Sequence, residues 1–178
     1  MSVDWNAHER LRLLSVGDIM PGLAESIYEV GMRYVLRNPD LPINLIIRSD
    51  GGAMFEAISV YNALRDIKSG LHAPLIGSGQ GNACSGGSFV LQVCDKRYAS
   101  PSAFLMVHGT STGMFRGDET SIVNQAALLK QLRAILTDAY AARSSKPLSY
   151  WERVLKSDRA EYYTAVQALE AGLIDAIR

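Results

Sequence analysis

The sequence predicts an α/β protein built on a mainly parallel sheet. Three observations carry that expectation. Short, nearly continuous apolar runs recur, such as Ile43-Asn44-Leu45-Ile46-Ile47; segments of helical periodicity lie between them; turn residues such as Gly51-Gly52 mark the junctions. A short apolar run suits a strand covered on both faces, and strands alternating with helices imply crossover units. The 178 residues are the size of one domain, 1–178, and 48% of them are hydrophobic, enough for a core.

The elements follow in order. Arg12-Leu13-Leu14-Ser15-Val16 reads as a first strand, stopped by Gly17-Asp18. Leu23, Ile27, Val30, Tyr34 and Val35 recur at helical spacing, so residues 20–37 form an amphipathic helix that Asn38-Pro39-Asp40 ends. The strand at 43–47 is followed by the turn Ser49-Asp50-Gly51-Gly52. A helix comes next, with Phe55, Ile58, Val60, Tyr61, Leu64 and Ile67 as its buried side. Ala73 to Gly77 starts another strand. Gly81-Asn82-Ala83-Cys84-Ser85-Gly86-Gly87-Ser88 is a small-residue turn opening a helix through Val93. Arg97-Tyr98-Ala99 and Ala103 to Val107 are two more strands around Pro101.

From Asp118 to Arg143 the chain is one long helical stretch, with Ile122, Ala126, Leu129, Leu132, Leu136 and Ala139 along one side. That side needs a partner, either the domain itself or another subunit. Ser145-Lys146-Pro147 breaks it. Short helices follow at 148–155 and 164–171, Gly172 caps the second, and Leu173 to Ile177 closes the chain.

Charged residues make up 20% and balance to a net charge of +0, which argues against a dedicated nucleic-acid surface. Cys84 and Cys94 are too few for a disulfide framework and read as buried, reduced thiols. No apolar run reaches the ~18 residues of a membrane span, and the polar N-terminus is unlike a signal peptide. The expectation is a cytoplasmic protein. The three histidines and two cysteines match no metal-ligand spacing, so no zinc site is expected.

Two side chains stand where catalysis would place them. Ser85 sits in the small-residue turn and His108 ends the apolar strand at 103–107. A serine hydroxyl is a poor nucleophile until a base takes its proton, and a turn entering a helix aims backbone N–H groups at a nascent oxyanion. Each feature also has a plain reading: Ser85 as a helix N-cap, His108 as a structural strand-end residue, Gly51-Gly52 as a simple turn. Together they lie at the ends of three successive strand units, where open α/β sheets gather ligands. His8 falls in the N-terminal segment and His72 in a loop, so both are poorer candidates.

In that order, the motifs resemble the Clp protease proteolytic subunit family, ClpP, over about residues 12–177. The family's Ser-Pro-Gly-Gly turn reads Ser49-Asp50-Gly51-Gly52 here. Its Ala-Ser-Met-Gly-Ala-Phe-Leu-Leu reads Cys84-Ser85-Gly86-Gly87-Ser88-Phe89-Val90-Leu91, and its Met-Ile-His-Gln-Pro reads Met106-Val107-His108-Gly109-Thr110. Its ending Glu-Ala-x-Glu-Tyr-Gly-Leu-Ile-Asp reads Gln167-Ala168-Leu169-Glu170-Ala171-Gly172-Leu173-Ile174-Asp175. The resemblance implies the ClpP/crotonase superhelix of βα units with a projecting handle helix at 118–143. It implies a serine peptidase with Ser85 as nucleophile and His108 as general base, and an oxyanion hole from Gly51, Gly52 and Gly86. Serine-based acyl transfer of this kind needs no metal or organic cofactor. It further implies unfolded protein or peptide substrates, a homo-oligomeric ring, heptameric or doubled, and a Clp-type AAA+ ATPase partner, with no nucleic acid and no membrane.

Three departures accompany the likeness. The ungapped match to the family's triad acid falls on Ala160; counting from Pro147 places Asp158 there instead. Losing the acid's role costs on the order of 10⁴ in rate in a serine protease triad. Only about eleven residues precede the first strand, which counts against the ATPase partnership. Asp50 replaces a proline and puts a negative charge beside the proposed oxyanion turn, a handicap unless the carboxylate points away. The departures suggest a divergent branch, such as a phage- or plasmid-borne relative. Three rival readings stand beside the peptidase: a weakened or inactive ring subunit, a crotonase-type acyl-CoA enzyme, and a cysteine peptidase using Cys84.

Overall fold

The computed structural model describes residues 11–110 and 118–178; His8 lies outside them. The elements run β1 (Leu13–Val16), α1 (Leu23–Arg37), β2 (Ile43–Ser49), α2 (Met54–Ser69), β3 (Leu75–Cys84), α3 (Gly86–Leu91), β4 (Lys96–Ala99) and β5 (Phe104–Val107). There follow α4 (Glu119–Arg143), α5 (Leu148–Lys156), β6 (Glu161–Thr164), α6 (Ala165–Glu170) and β7 (Ala176–Ile177). Among the described residues β1, β2, β3, β4 and β7 lie side by side in that order, all parallel. The alternation of strand and helix read from the sequence is the alternation observed, and the fold is the mixed α/β, mostly parallel kind expected of a ClpP-like chain.

The sheet forks at β3. Ile76–Gly79 pairs with β4, while Asn82–Cys84 pairs with β5, which in turn pairs antiparallel with β6. The fork sets the site, because it brings the ends of β3 and β5 to one edge. The sequence expectation starts this strand at Ala73 to Gly77 and reads Gly81 to Cys84 as part of a turn; β3 instead runs on through Cys84. Gly77 is a packing position: a Cβ there would stand 2.6 Å from Cys94 Sγ and 2.7 Å from Leu91 Cδ1. β6 was not foreseen either. Glu161-Tyr162-Tyr163-Thr164 is held by its partner β5, a pairing across more than fifty residues of sequence that local periodicity does not reveal.

The core runs from Leu14 and Ile27 through β2 and β3 to Trp151, Leu173 and Ile174. Helix α2 buries Ala57, Val60, Ala63, Leu64 and Ile67. Phe55, expected on that face, is 61% exposed, and Ile58 and Tyr61 are half-buried. The buried stripe is centred on small residues because α2 meets α3 closely: a Cβ on Gly86 would stand 3.1 Å from Ala57 Cβ. Cys84 and Cys94 are buried free thiols.

Helix α4 is the long helix expected, 25 residues, N-capped by Asp118, whose side chain accepts from the Ser121 N–H. Its expected stripe is buried at Leu132 and Leu136, joined by Thr137 and Tyr140, while Ile122, Val123, Leu128 and Ile135 are exposed. Its root is seated by aromatic packing: Tyr140 stacks on Trp151 at 5.0 Å, and Tyr150 meets Trp151 edge-on at 5.0 Å. Such pairs contribute about 0.5–1.5 kcal/mol beyond the area they bury. No helix among the described residues is long and apolar enough to cross a membrane.

Candidate active site

Ser85 is the single residue between β3 and α3, and it has φ 53° and ψ −120°. A residue with a side chain held there costs about 1–3 kcal/mol and persists only where its surroundings fix it. They do so here on both sides. The Ser85 N–H donates to Met106 O at 2.8 Å, and Ser85 O accepts from the Phe89 N–H at 3.1 Å and from Ser88 Oγ at 2.8 Å. The turn thrusts the hydroxyl toward the turn after β2, where a Cβ on Gly51 would stand 2.6 Å from Ser85 Cβ.

His108 follows β5 immediately. Cys84 and Met106 are register partners, so Ser85 and His108 emerge from the same sheet edge. Ser85 Oγ and His108 Nε2 are 2.8 Å apart. With the imidazole neutral and its proton on Nδ1, the hydroxyl donates to Nε2. The two line a cavity of about 160 Å³ with Gly52, Ala53, Met54, Leu136 and Tyr140.

The backbone N–H groups of Gly52 and Gly86, which flank Ser85 from two turns, have no acceptor among the described residues. Gly86 is the first residue of α3, where a helix leaves its N–H groups unpaired. Gly52 is held by a bridge to Ile19, whose N–H donates to Gly51 O at 2.8 Å and whose carbonyl accepts from the Ala53 N–H at 2.9 Å. Gly51 differs from the sequence expectation. Its N–H is already donated to Ser49 Oγ at 3.0 Å, so it supports the turn and leaves Gly52 and Gly86 as the open donors. Ser49 is fully buried, and nothing in the local sequence marks it for this task.

Asp50 is exposed, and its carboxylate accepts from Asn82 Nδ2. The charge that replaces the proline is therefore tied to β3. The sequence alone gives Asn82 no role beyond the small-residue turn.

Asp158 is exposed and lines a second cavity, of about 300 Å³, with His108, Gly109, Thr110, Arg133, Leu155, Lys156 and Ser157. No hydrogen bond joins Asp158 to His108. The C-terminal end of α5, which leads into Asp158, is nonetheless pressed on the histidine segment: a Cβ on Gly109 would stand 2.5 Å from Leu155 O and 3.3 Å from Ser157 O. The β5–β6 register ends with Val107 opposite Glu161, and continuing it by one step would set Ala160 opposite His108. The ungapped alignment and the strand register thus lead to the same alanine.

Cys84 precedes the serine, but burial, with the Asp50 charge adding to it, pushes its thiol up from the ordinary value. A raised thiol holds little thiolate at neutral pH.

Residues missed by sequence reasoning complete the surroundings. Ser88 Oγ lies 2.8 Å from Met106 O and 2.7 Å from Tyr140 Oη, as well as against Ser85 O. Tyr140 comes from the long helix, far along the chain, and no local signal links it to the Ser85 turn. Residues 10–178 match the family model described as Clp protease.

Proposed function

The chain belongs to the Clp protease family, and on that premise we propose that it is a serine endopeptidase working through an acyl-enzyme on Ser85. The observation that carries this reading is the 2.8 Å approach of Ser85 Oγ to His108 Nε2, with the serine held at positive φ on a helix N-terminus. His108 Nε2 takes the hydroxyl proton as Ser85 Oγ attacks the scissile carbonyl carbon. The resulting oxyanion accepts from the Gly52 and Gly86 N–H groups; one such donor is worth about 2.7–4 kcal/mol of barrier. His108 then gives its proton to the leaving amine. In deacylation it deprotonates a water that attacks the ester and returns the proton to Ser85.

Asp158 shares a cavity with His108 that is roomy enough for water. In this reading its carboxylate stabilises the transient imidazolium across that space. Substrates are peptides or unfolded proteins. The exposed apolar side of α4 joins subunits into a ring that encloses the sites.

The test is labelling by a serine-directed phosphonate, located by mass spectrometry, alongside hydrolysis of fluorogenic peptides. Adduct on Ser85 and turnover abolished in Ser85→Ala and His108→Ala are expected. Labelling elsewhere, or turnover surviving either substitution, rejects the assignment.

Ala160, at the position that the ungapped match gives the acid, favours a second reading, a ring subunit of weakened chemistry that assembles with an active paralogue. A triad without its orienting acid is slowed on the order of 10⁴-fold. Robust turnover by the isolated protein removes this reading.

A further inference from the structure

We propose that Tyr140 and Ser88 are positioning residues for the nucleophile: the phenol at the root of α4 donates to the Ser88 hydroxyl, and that hydroxyl clamps the carbonyls that hold Ser85 and His108 together. The inference rests on the serine-peptidase reading above and adds to it a second layer that ties the long helix to the Ser85 turn.

The proton count dictates the direction. Ser88 Oγ has three oxygen neighbours within 2.8 Å, namely Ser85 O, Met106 O and Tyr140 Oη. A hydroxyl carries one proton and two lone pairs. Both carbonyls can only accept, so the Ser88 proton is shared between them and the Tyr140 O–H is the donor. Burial pushes the Tyr140 phenol up from its ordinary value, so it keeps that proton at neutral pH.

The two carbonyls are the ones that matter. Ser85 O belongs to the strained nucleophile, and Met106 O accepts the Ser85 N–H and stands two residues before His108. One hydroxyl therefore grips the end of β5 and the Ser85 turn together. Ser88 is fully buried and Tyr140 is 1% exposed, so their hydroxyls are largely shielded from bulk solvent. An unpaired buried polar group is costly, which makes the three oxygens behave as a unit. Tyr140 also lines the Ser85–His108 cavity and stacks on Trp151, so the seating of α4 enters the geometry of the nucleophile.

The experiment compares the assembled full-length protein with Tyr140→Phe, Ser88→Ala and the double variant. Tyr140→Phe keeps the ring and its stack on Trp151 and removes only the donor. The readouts are kcat and KM for a fluorogenic peptide and the rate of phosphonate labelling at Ser85, with Tm and sedimentation as controls of fold and assembly. Small displacements of a reacting group cost up to about 100-fold in rate. Each single variant is expected to lose about tenfold or more in kcat, with KM within twofold and labelling slowed in parallel. The double variant is expected to lose no more than Ser88→Ala alone, since residues in one network are not additive.

Wild-type kcat and labelling in a folded Tyr140→Phe protein overturns the proposal, as does a loss confined to KM or a double variant showing the product of the single losses. Should Ser88→Ala fail to fold, Tyr140→Phe decides alone. A wild-type protein that neither turns over peptide nor labels at Ser85 sinks the peptidase reading and this one with it; a labelled wild type with an unaffected Tyr140→Phe sinks only this one.

Discussion

Asn82 donates its side-chain amide to the Asp50 carboxylate, tying the turn after β2 to the far half of β3. Asp50 adjoins the Gly51-Gly52 turn, where the Gly52 N–H has no acceptor among the described residues and is the proposed donor to the oxyanion. A free carboxylate there would repel the charge that develops in the transition state. Asn82→Ala is therefore expected to lower kcat about fivefold, the size of an exposed charge interaction at short range. The loss should shrink at high salt and disappear in Asp50→Ala/Asn82→Ala. Steady-state kinetics at two ionic strengths checks this; equal losses in the presence and absence of Asp50 assign Asn82 to β3 alone.

Gly109, next to His108, packs against Leu155 and Ser157 at the end of α5. A Cβ at that position would meet a backbone carbonyl at 2.5 Å, so the end of α5 or the histidine segment must move. Gly109→Ala is expected to destabilise by about 1–3 kcal/mol, the range for overpacking. Labelling of Ser85 should slow as well, because His108 is the adjacent residue. Chemical denaturation gives the first quantity and phosphonate kinetics the second. An unchanged labelling rate in a destabilised protein separates the Asp158 turn from the catalytic geometry.

The parts of this molecule that were legible in the sequence are those set by local pattern. The apolar runs of β2 and β5, the periodicity of α1 and the length of α4 each declare themselves within a few turns of chain. Ser85 and the glycine pair stand out because turn chemistry concentrates small residues where backbone must approach backbone, and His108 stands out as the polar end of an apolar strand. What escaped depends on partners far away in sequence. Gly81, Asn82, Ala83 and Cys84 look like a turn until β5 is known to pair with Asn82–Cys84. β6 exists because β5 offers an edge. Ser49, Asn82, Ser88 and Tyr140 carry hydroxyls or amides of a kind found on any surface, and only folding brings them beside Gly51, Asp50 and Ser85.

Cys84 adjoins the serine, and its thiol is pushed up by burial and by the Asp50 charge. At neutral pH it is expected to resist iodoacetamide, and Cys84→Ala is expected to keep peptidase activity within a few-fold. Intact-mass measurement after alkylation, paired with turnover, checks both. Rapid alkylation with concurrent loss of activity would revive the cysteine-peptidase reading.

Asp175 closes the C-terminal turn onto β4. Its Oδ2 accepts from the Arg97 N–H at 2.7 Å and its Oδ1 from Arg97 Nη2 at 2.6 Å. Burial alone would push this carboxyl up, but the Arg97 contacts outweigh it and hold the group below the ordinary carboxylate value of 3.8. A depressed folded-state value stabilises the protein above the unfolded-state value, and the contribution is lost as pH falls through the folded-state value. Asp175→Asn should therefore lower Tm at pH 7, with the gap to wild type narrowing below about pH 4. Calorimetry across pH 3–7 checks the sign; a gap that widens on acidification contradicts it.

The outer half of α4 presents Ile122, Val123 and Leu128 to solvent, with exposures of 46%, 60% and 39%. Its root, by contrast, is fixed by Leu132, Leu136 and Tyr140. A helix that buries only its last turns gains nothing in the isolated chain from apolar residues on its first turns. Neighbouring exposed apolar side chains mark an interaction surface. A charge in the middle of such a surface, in Val123→Asp or Leu128→Asp, is expected to shift sedimentation toward smaller assemblies while circular dichroism and Tm of the released subunit hold. Peptide turnover should fall along with assembly if the ring encloses the sites. Unchanged sedimentation in both variants would leave the apolar stripe without a subunit partner and remove the ring from the proposed function.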